Sequence, residues 1–409
     1  MLIINIIRGG GNKIKSLKIH KKLIICSVVF LLLTRIFNYA IFDQFALLKL
    51  VYARSSQFVA LTVCFLYVFH YKKISLSIIW GFIYTVVLFI ATILGSGNYY
   101  SIIQRIYPLV SFLMFIEIQI KCGCARILMK AIANVCFVLT LVEFMLLPLS
   151  ELYWGEYIYF LSGRNQMYIV FAIGLLSICF YYGVHDIRYK LYLGMSIICI
   201  LYGESSSNLL AITFFVLLAI VGFERKCLRK ILSVAVLVLY PLLNMGIVIF
   251  RIHEHFAFFI ETILHKNITL TSRTYIWDTA LELIKQSPFW GYGIAVTSNV
   301  FHVIADRIDA PDIDAWYSGH NQYIQMLYES GLVSLLLLIF LITYGVKKLN
   351  RFMSNVDASL TLTIIFSLLI VMVAEAPGWD SIFIVLFLSH LQISCYEERR
   401  LNCKYADTT

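Results

Sequence analysis

Charge is scarce in this sequence: 14% of its 409 residues are Asp, Glu, Lys or Arg, against about 25% in ordinary soluble chains. A chain so poor in charge cannot clothe a water-facing surface, which excludes a soluble globular protein. No Walker A sequence, dinucleotide fingerprint or zinc-binding helix motif is present, so ATP hydrolysis and redox chemistry have no support. No small-residue cleavage site follows the basic N-terminal stretch and its apolar run, and a cleaved signal peptide is therefore not expected. No internal duplication is visible, a feature that many secondary transporters show. Cysteine is present, with 10 residues, but none falls in a connection assigned below to the outside. A disulfide framework is not expected, and Cys122-x-Cys124 lacks the second ligand pair of a structural zinc site.

What is present is apolar sequence: 61% of the residues are hydrophobic and the mean hydropathy is +0.85. A helix crossing a bilayer needs about 20 predominantly apolar residues. Twelve such runs are expected at 23–42, 53–70, 75–95, 101–120, 128–148, 165–182, 189–203, 206–222, 231–250, 331–346, 358–376 and 380–395. The net charge of +10 fits orientation in a membrane better than nucleic-acid binding, because the basic residues fall on alternate connections. With the N-terminus in the cytoplasm, Arg8 to Lys22, Lys72 and Lys73, Lys121 to Lys130, Arg188 and Lys190, Arg225 to Lys230, Lys347 to Arg351 and Arg399 to Lys404 all lie inside, as the positive-inside rule requires. The expectation is an all-α integral membrane protein with both termini cytoplasmic. It divides into an N-terminal bundle (1–250), a long external loop containing short helices (251–330) and C-terminal spans with a tail (331–409).

That loop is far longer than the connections elsewhere, and connections beyond about 15 residues are uncommon unless functional. It holds five of the nine histidines, His253, His255, His265, His302 and His320. Within it, Thr271 to Pro288 reads as one helix, with Thr271, Ser272 and Thr274 as candidate N-caps. Ile276, Ala280, Leu283 and Ile284 form its apolar stripe, and Ser287-Pro288 its stop. Arg273 at its N-terminus either holds an anion such as phosphate together with free backbone N–H groups, or pairs with Asp278 or another loop carboxylate. His320 follows a glycine at the start of a second short helix running into the span that begins at Leu332. An imidazole there serves either as a general base or as a surface or capping residue.

Ionisable residues inside apolar spans are functional candidates by default. Arg35, Arg105, Arg164 and Glu375 all fall toward the external leaflet, where they either form an anion site or pair and snorkel to the interface. The Gly203–Asn208 turn, which contains Ser206, offers hydroxyls for a sugar or phosphate, or for local turn hydrogen bonds.

The stretch S-R-T-Y-I-W-D-T-A-L-E-L-I-K-Q-S-P-F-W-G-Y-G over 272–293, followed by G-H-N-Q-Y-I-Q-M-L-Y-E-S-G-L over 319–332, resembles the O-antigen ligase and polymerase superfamily. The resemblance implies a metal-independent, cofactor-free, inverting glycosyltransferase at the bacterial inner membrane. Its donor would be a glycan on undecaprenyl pyrophosphate, with membrane lipid around it, no nucleic acid, and a chain-length regulator as an open further partner. It implies that Arg273 engages the donor pyrophosphate and that His320 activates the acceptor hydroxyl. Arg164, Arg105, Arg35, Asn321, Glu329 and Ser206 are the remaining candidates for pyrophosphate or glycan contact. Ligases of this family usually carry an arginine in the turn before the eighth span, where this chain has Ser205-Ser206-Ser207-Asn208. The departure favours a polymerase of surface-polysaccharide repeat units over a ligase to lipid A core. A flippase of lipid-linked oligosaccharide is a third reading, one that leaves the long loop unexplained.

Overall fold

The computed structural model describes residues 13–34, 36–37, 39–71, 74–95, 97–153, 159–161, 163, 166–258, 261–262, 268, 273–294, 319–376 and 380–406. Among them the regular structure is helical, with no β-strand. The helices are α1 (Lys13–Leu33), α2 (Ala46–His70), α3 (Leu76–Leu94), α4 (Tyr99–Lys121), α5 (Ala125–Tyr153), α6 (Met167–Tyr182), α7 (Ile187–Tyr202), α8 (Ser206–Val221), α9 (Lys226–Val248), α10 (Arg273–Gln286), α11 (Gln322–Phe352), α12 (Asn355–Ala374) and α13 (Asp380–Ala406).

Helix is the expected answer to such composition, since in an apolar solvent each backbone N–H and C=O must find its partner within its own segment. A helix lies at each of the twelve expected apolar runs. Six elements, Ala46–Phe69, Tyr99–Lys121, Ala125–Leu149, Lys226–Val248, Gln322–Phe352 and Asn355–Ala374, are long and apolar enough to cross a membrane. Leu23–Leu33, Ile78–Leu94, Met167–Tyr182 and Ser206–Val221 are shorter apolar helices. The apolar stretch of α12 is 78% buried and that of α2 only 22%, so α12 is a core element whereas α2 leaves Leu47, Phe58, Leu61 and Phe69 exposed. Exposed apolar residues in such number are what lipid, and not water, solvates.

The chain forms two compact units that interleave in sequence. The first comprises Met1–Ile78, Tyr107–Leu209 and Phe383–Thr409, the second Ile79–Ile106 and Leu210–Ile382. In the first unit α5 packs on α1, α6 and α7, around fully buried Phe112, Tyr168, Phe171 and Tyr192. Two carboxylates buried there are partnered: Glu143 accepts the Leu161 N–H at 2.7 Å, and Glu117 accepts the Ser75 hydroxyl at 2.6 Å and meets His390 Nε2 at 3.0 Å. In the second unit α9 packs on α12, α11 on α12, and α10 on α11.

The packing of α10 on α11 follows from the sequence pattern. Ile276, Ala280 and Ile284 of the expected stripe are buried with Trp277, Ile324, Tyr328 and Val248 in one cluster, and Leu283 lies partly buried against it. At 0% exposure Trp277 is the centre of this contact. The i to i+4 spacing of the stripe puts these residues on one helix face.

Candidate functional site

The site belongs wholly to the second unit, and it begins with a break in a helix. At Gly331 the backbone of α11 turns to φ 68°, ψ −171°, a conformation open essentially to glycine alone. The break deprives Tyr328 and Glu329 of their normal C=O partners and Leu332 and Val333 of their N–H partners. The segment Pro288–Gly293 replaces them all. Tyr292 N donates to Tyr328 O (2.8 Å) and Gly293 N to Glu329 O (2.9 Å), while Leu332 N donates to Pro288 O (2.8 Å) and Val333 N to Phe289 O (3.4 Å). Tyr292 stacks on Tyr328 and its hydroxyl donates to Leu283 O. The P-F-W-G-Y-G and E-S-G-L sequences, 38 positions apart when Gly293 is set against Gly331, are thus two halves of one backbone repair.

Below the break a polar chain leads to the histidine. Glu329 accepts from Arg105 Nη1 through Oε2 at 2.7 Å and from Gln325 Nε2 through Oε1 at 2.7 Å. Gln325 Oε1 in turn accepts the Gly319 N–H at 2.7 Å, and the Gly319 carbonyl accepts the Trp277 indole N–H at 3.0 Å. Both backbone polar groups of Gly319, the residue before His320, are therefore pinned, one by α11 and one by α10. On the other side Asn321 is the N-cap of α11, its side-chain oxygen accepting from Tyr323 N and Ile324 N. Its amide donates to Asn244 Oδ1 and Val373 O, both at 3.0 Å. His320, with φ 41°, is held in the left-handed region between these anchors. Such over-determined backbone at a polar site is where pre-organisation is commonly stored.

His320 and Arg273 then meet on one carboxylate. Arg273 Nη2 donates to Glu375 Oε1 at 2.6 Å, and His320 Nδ1 lies 3.7 Å from Glu375 Oε2. The Glu375 side chain is 9% exposed, that of His320 11% and that of Arg273 21%. Glu375 is the first residue beyond apolar α12, whose last turn its own N–H still joins through Val371 O. The three come from the start of α10, the residue before the cap of α11 and the end of α12. A guanidinium that presents several N–H donors next to an imidazole can hold an anionic oxygen and move a proton within one small volume.

Arg251 secures the start of α10. Its guanidinium donates to Thr274 O at 2.8 Å, pairs with Asp278 and lies over the Trp277 ring, 5.5 Å from the centroid. The loop carboxylate that was open to Arg273 is therefore taken by Arg251, and Arg273 finds Glu375. Nearby His253 is buried. Burial first, and then the Arg251 cation, hold its imidazole below the usual histidine range, which makes it an uncharged core residue at neutral pH.

The structure thus brings together five of the residues singled out from sequence, His320 and Arg273 on Glu375, and Arg105 and Glu329 on each other, with Gln325 linking the second pair to the His320 turn. Asn321 is present at the site as an anchor, its amide and oxygen both engaged. Ser206 is the exposed first residue of α8 and belongs to the first unit. Arg35 and Arg164 lie outside the described residues, as do His265, His302 and the candidate caps Thr271 and Ser272; Thr274 lies inside α10. Sequence reasoning missed the roles of Gln325, Trp277, Arg251 and Asn244, and read Glu375 as an intramembrane charge that either lines an anion site or pairs with an arginine. Its one available signal was an acid closing an otherwise apolar helix.

Trp277→Phe preserves the buried ring but removes the donor to Gly319 O. A buried carbonyl left unsatisfied costs about 1–3 kcal/mol, and the turn it steadied would loosen. The expected result is a normal membrane level with a lower thermal unfolding temperature of the solubilised protein and a His320 ring NMR signal broadened relative to wild type. Unchanged stability and an unchanged ring signal would show that the indole bond does not hold the histidine in place.

These features define a multi-pass helical membrane protein with an arginine, a histidine and a carboxylate gathered beside a broken helix. Residues 191–339 match the family described as O-Antigen ligase, a segment that contains both motifs. Over 98 residues the chain is 33% identical to the exopolysaccharide production protein ExoQ of Rhizobium meliloti (strain 1021), an alignment spanning 22% of each chain. The chain therefore covers about a fifth of the length of that curated relative. These matches support the likeness to the O-antigen ligase/polymerase-like superfamily that the motifs carry.

Proposed function

We propose that this protein is a glycosyltransferase of the inner membrane that polymerises repeat units of a surface polysaccharide, with a glycan on undecaprenyl pyrophosphate as donor and a lipid-linked repeat unit as acceptor. The observation that carries the reading is the convergence of Arg273 and His320 on Glu375. A glycosyl transfer from a pyrophosphate carrier needs a cation for the departing charge and a base for the attacking hydroxyl. In this reading His320 Nε2, the ring nitrogen turned from the carboxylate, takes the acceptor proton as the acceptor oxygen bonds to the sugar C1. The bond from C1 to the pyrophosphate oxygen breaks on the opposite face, inverting the centre. Arg273 neutralises the leaving pyrophosphate, a task that needs no metal ion in this scheme. Arg105, paired with Glu329, is a further arginine within the same unit.

The proposal includes the topology. All twelve apolar helices cross the membrane, both termini face the cytoplasm, and 251–330 lies outside, where the lipid-linked donor presents its headgroup. The alternation of basic connections supports this orientation. The polymerase reading is favoured over the ligase by the arginine-free turn Ser205–Asn208 and by the relative's role in exopolysaccharide production. The family described as O-Antigen ligase keeps transfer to lipid A core as the alternative.

The test is to delete the gene in its host, resolve surface glycolipids and complement with the wild-type chain. Single repeat units restored to a ladder mark a polymerase. Core without any repeat, with polymer accumulating on the lipid carrier, marks a ligase. An unchanged profile would overturn both. Arg273→Lys keeps the charge but loses the planar fork, and turnover is expected to fall on the order of a hundredfold, as for loss of one preorganised donor. Full activity in that variant would reduce Arg273 to a structural partner of Glu375.

A further inference from the structure

Resting on that reading, we propose that Glu375 couples the two substrates: donor pyrophosphate, by taking the Arg273 guanidinium, releases this carboxylate to His320 and so completes the base only when the donor is in place. The geometry contains both halves of the exchange. One oxygen of Glu375 is committed to Arg273 at 2.6 Å, while the other stands 3.7 Å from His320 Nδ1, beyond the reach of a normal hydrogen bond. A single carboxylate held by a permanent cation is a weak orienting partner for an imidazole. A pyrophosphate carries more negative charge and suits the guanidinium fork at least as well, so it competes directly for Arg273.

Once displaced, Glu375 is a nearly buried anion that must find another donor. The nearest ring nitrogen is His320 Nδ1, and a side-chain movement of about 1 Å brings it to hydrogen-bonding distance. His320 itself is fixed by the Gly319 and Asn321 anchors, so the carboxylate is the part that moves. A carboxylate on Nδ1 sets the tautomer and stabilises the imidazolium formed as Nε2 takes the acceptor proton. The proton passes from acceptor hydroxyl to Nε2, the acceptor oxygen bonds to C1, and the carrier pyrophosphate leaves on Arg273. Glu375 forms no covalent bond and acts as a positioning residue. The consequence is order: the base becomes competent after the donor binds.

The test uses the full chain in lipid nanodiscs with ring-¹⁵N-labelled histidine, the His320 signals being identified by their loss in His320→Gln. Inorganic pyrophosphate is expected to move the His320 ring signals toward the Nδ1–H form in the wild type. In Glu375→Gln pyrophosphate should still bind, as tightly or more tightly, without moving those signals. With lipid-linked donor, Glu375→Gln should lose at least tenfold in kcat with an unchanged or lower donor KM, and Glu375→Asp should recover part of kcat. A raised KM with intact kcat would make Glu375 a holder of Arg273 only, and kinetics unchanged in both parameters would remove it from the reaction; either overturns the coupling. So does a wild type whose His320 signals ignore bound pyrophosphate, and that titration decides alone should Glu375→Gln fail to insert. A wild type whose signals respond but which forms no polymer leaves the coupling intact and sinks the polymerase reading instead.

Discussion

His320→Ala is expected to abolish polymer while the protein still reaches the membrane at its normal level. General-base assistance contributes about 10²–10⁴-fold to a rate, and no other described imidazole shares the carboxylate with Arg273. The structural cost of the change is small, because the turn around residue 320 is held through the backbone of Gly319 and through Asn321. Alanine tolerates a positive φ poorly, but the strain costs only about 1–3 kcal/mol. The measurement is the ladder of surface glycolipids in a deletion strain complemented with the variant, alongside its membrane level. Polymer of wild-type length would remove His320 from the chemistry and leave Arg273 and Glu375 as an ion pair without a catalytic partner.

Gly331→Ala is expected to have the largest effect on folding. Its backbone lies at φ 68°, and an added Cβ would sit 2.2 Å from the carbonyl carbon and oxygen of Phe289. The strain of about 1–3 kcal/mol is therefore joined by an overpacking cost of about 1–3 kcal/mol, because the atoms in the way are backbone and cannot swing aside. Displacing Phe289 would pull the Pro288–Gly293 segment from the helix break, leaving the carbonyls of Tyr328 and Glu329 without donors. A fall in thermal stability of solubilised protein, low membrane yield and loss of polymer should come together. Gly183→Ala is the control: its φ is 91° and nothing lies within 4 Å of the added Cβ, so only the strain is felt. Equal losses in the two variants would mean that the close approach of Phe289 contributes nothing.

Much of this arrangement was legible in the sequence. The apolar runs forecast helices at twelve positions, and the stripe Ile276, Ala280 and Ile284 forecast the buried face of α10, because both patterns depend on residues close together in the chain. The two motifs pointed to Arg273 and His320 before any geometry was known. Other features were not legible for a common reason, which is that their partners lie far apart. Gly291–Tyr292–Gly293 reads as a turn, yet its backbone N–H groups are needed at a break nearly forty positions later. Arg273 was open to Asp278, five positions away, but Arg251 had already taken that carboxylate.

By itself the sequence determined the solvent and the local structure. With so few charges the chain must live in lipid, and in lipid a backbone must satisfy itself within each segment, so helices follow without reference to tertiary contacts. Its two motifs also singled out Arg273 and His320, the pair on which the proposed chemistry rests. The tertiary structure alone decided that Glu375 joins them and that Trp277 and Gln325 pin the histidine turn. It also decided that a distant loop repairs the broken helix. Hydrogen bonds and ion pairs of this kind depend on which surfaces meet when helices pack, and that is set by the fit of whole faces and not by spacing along the chain.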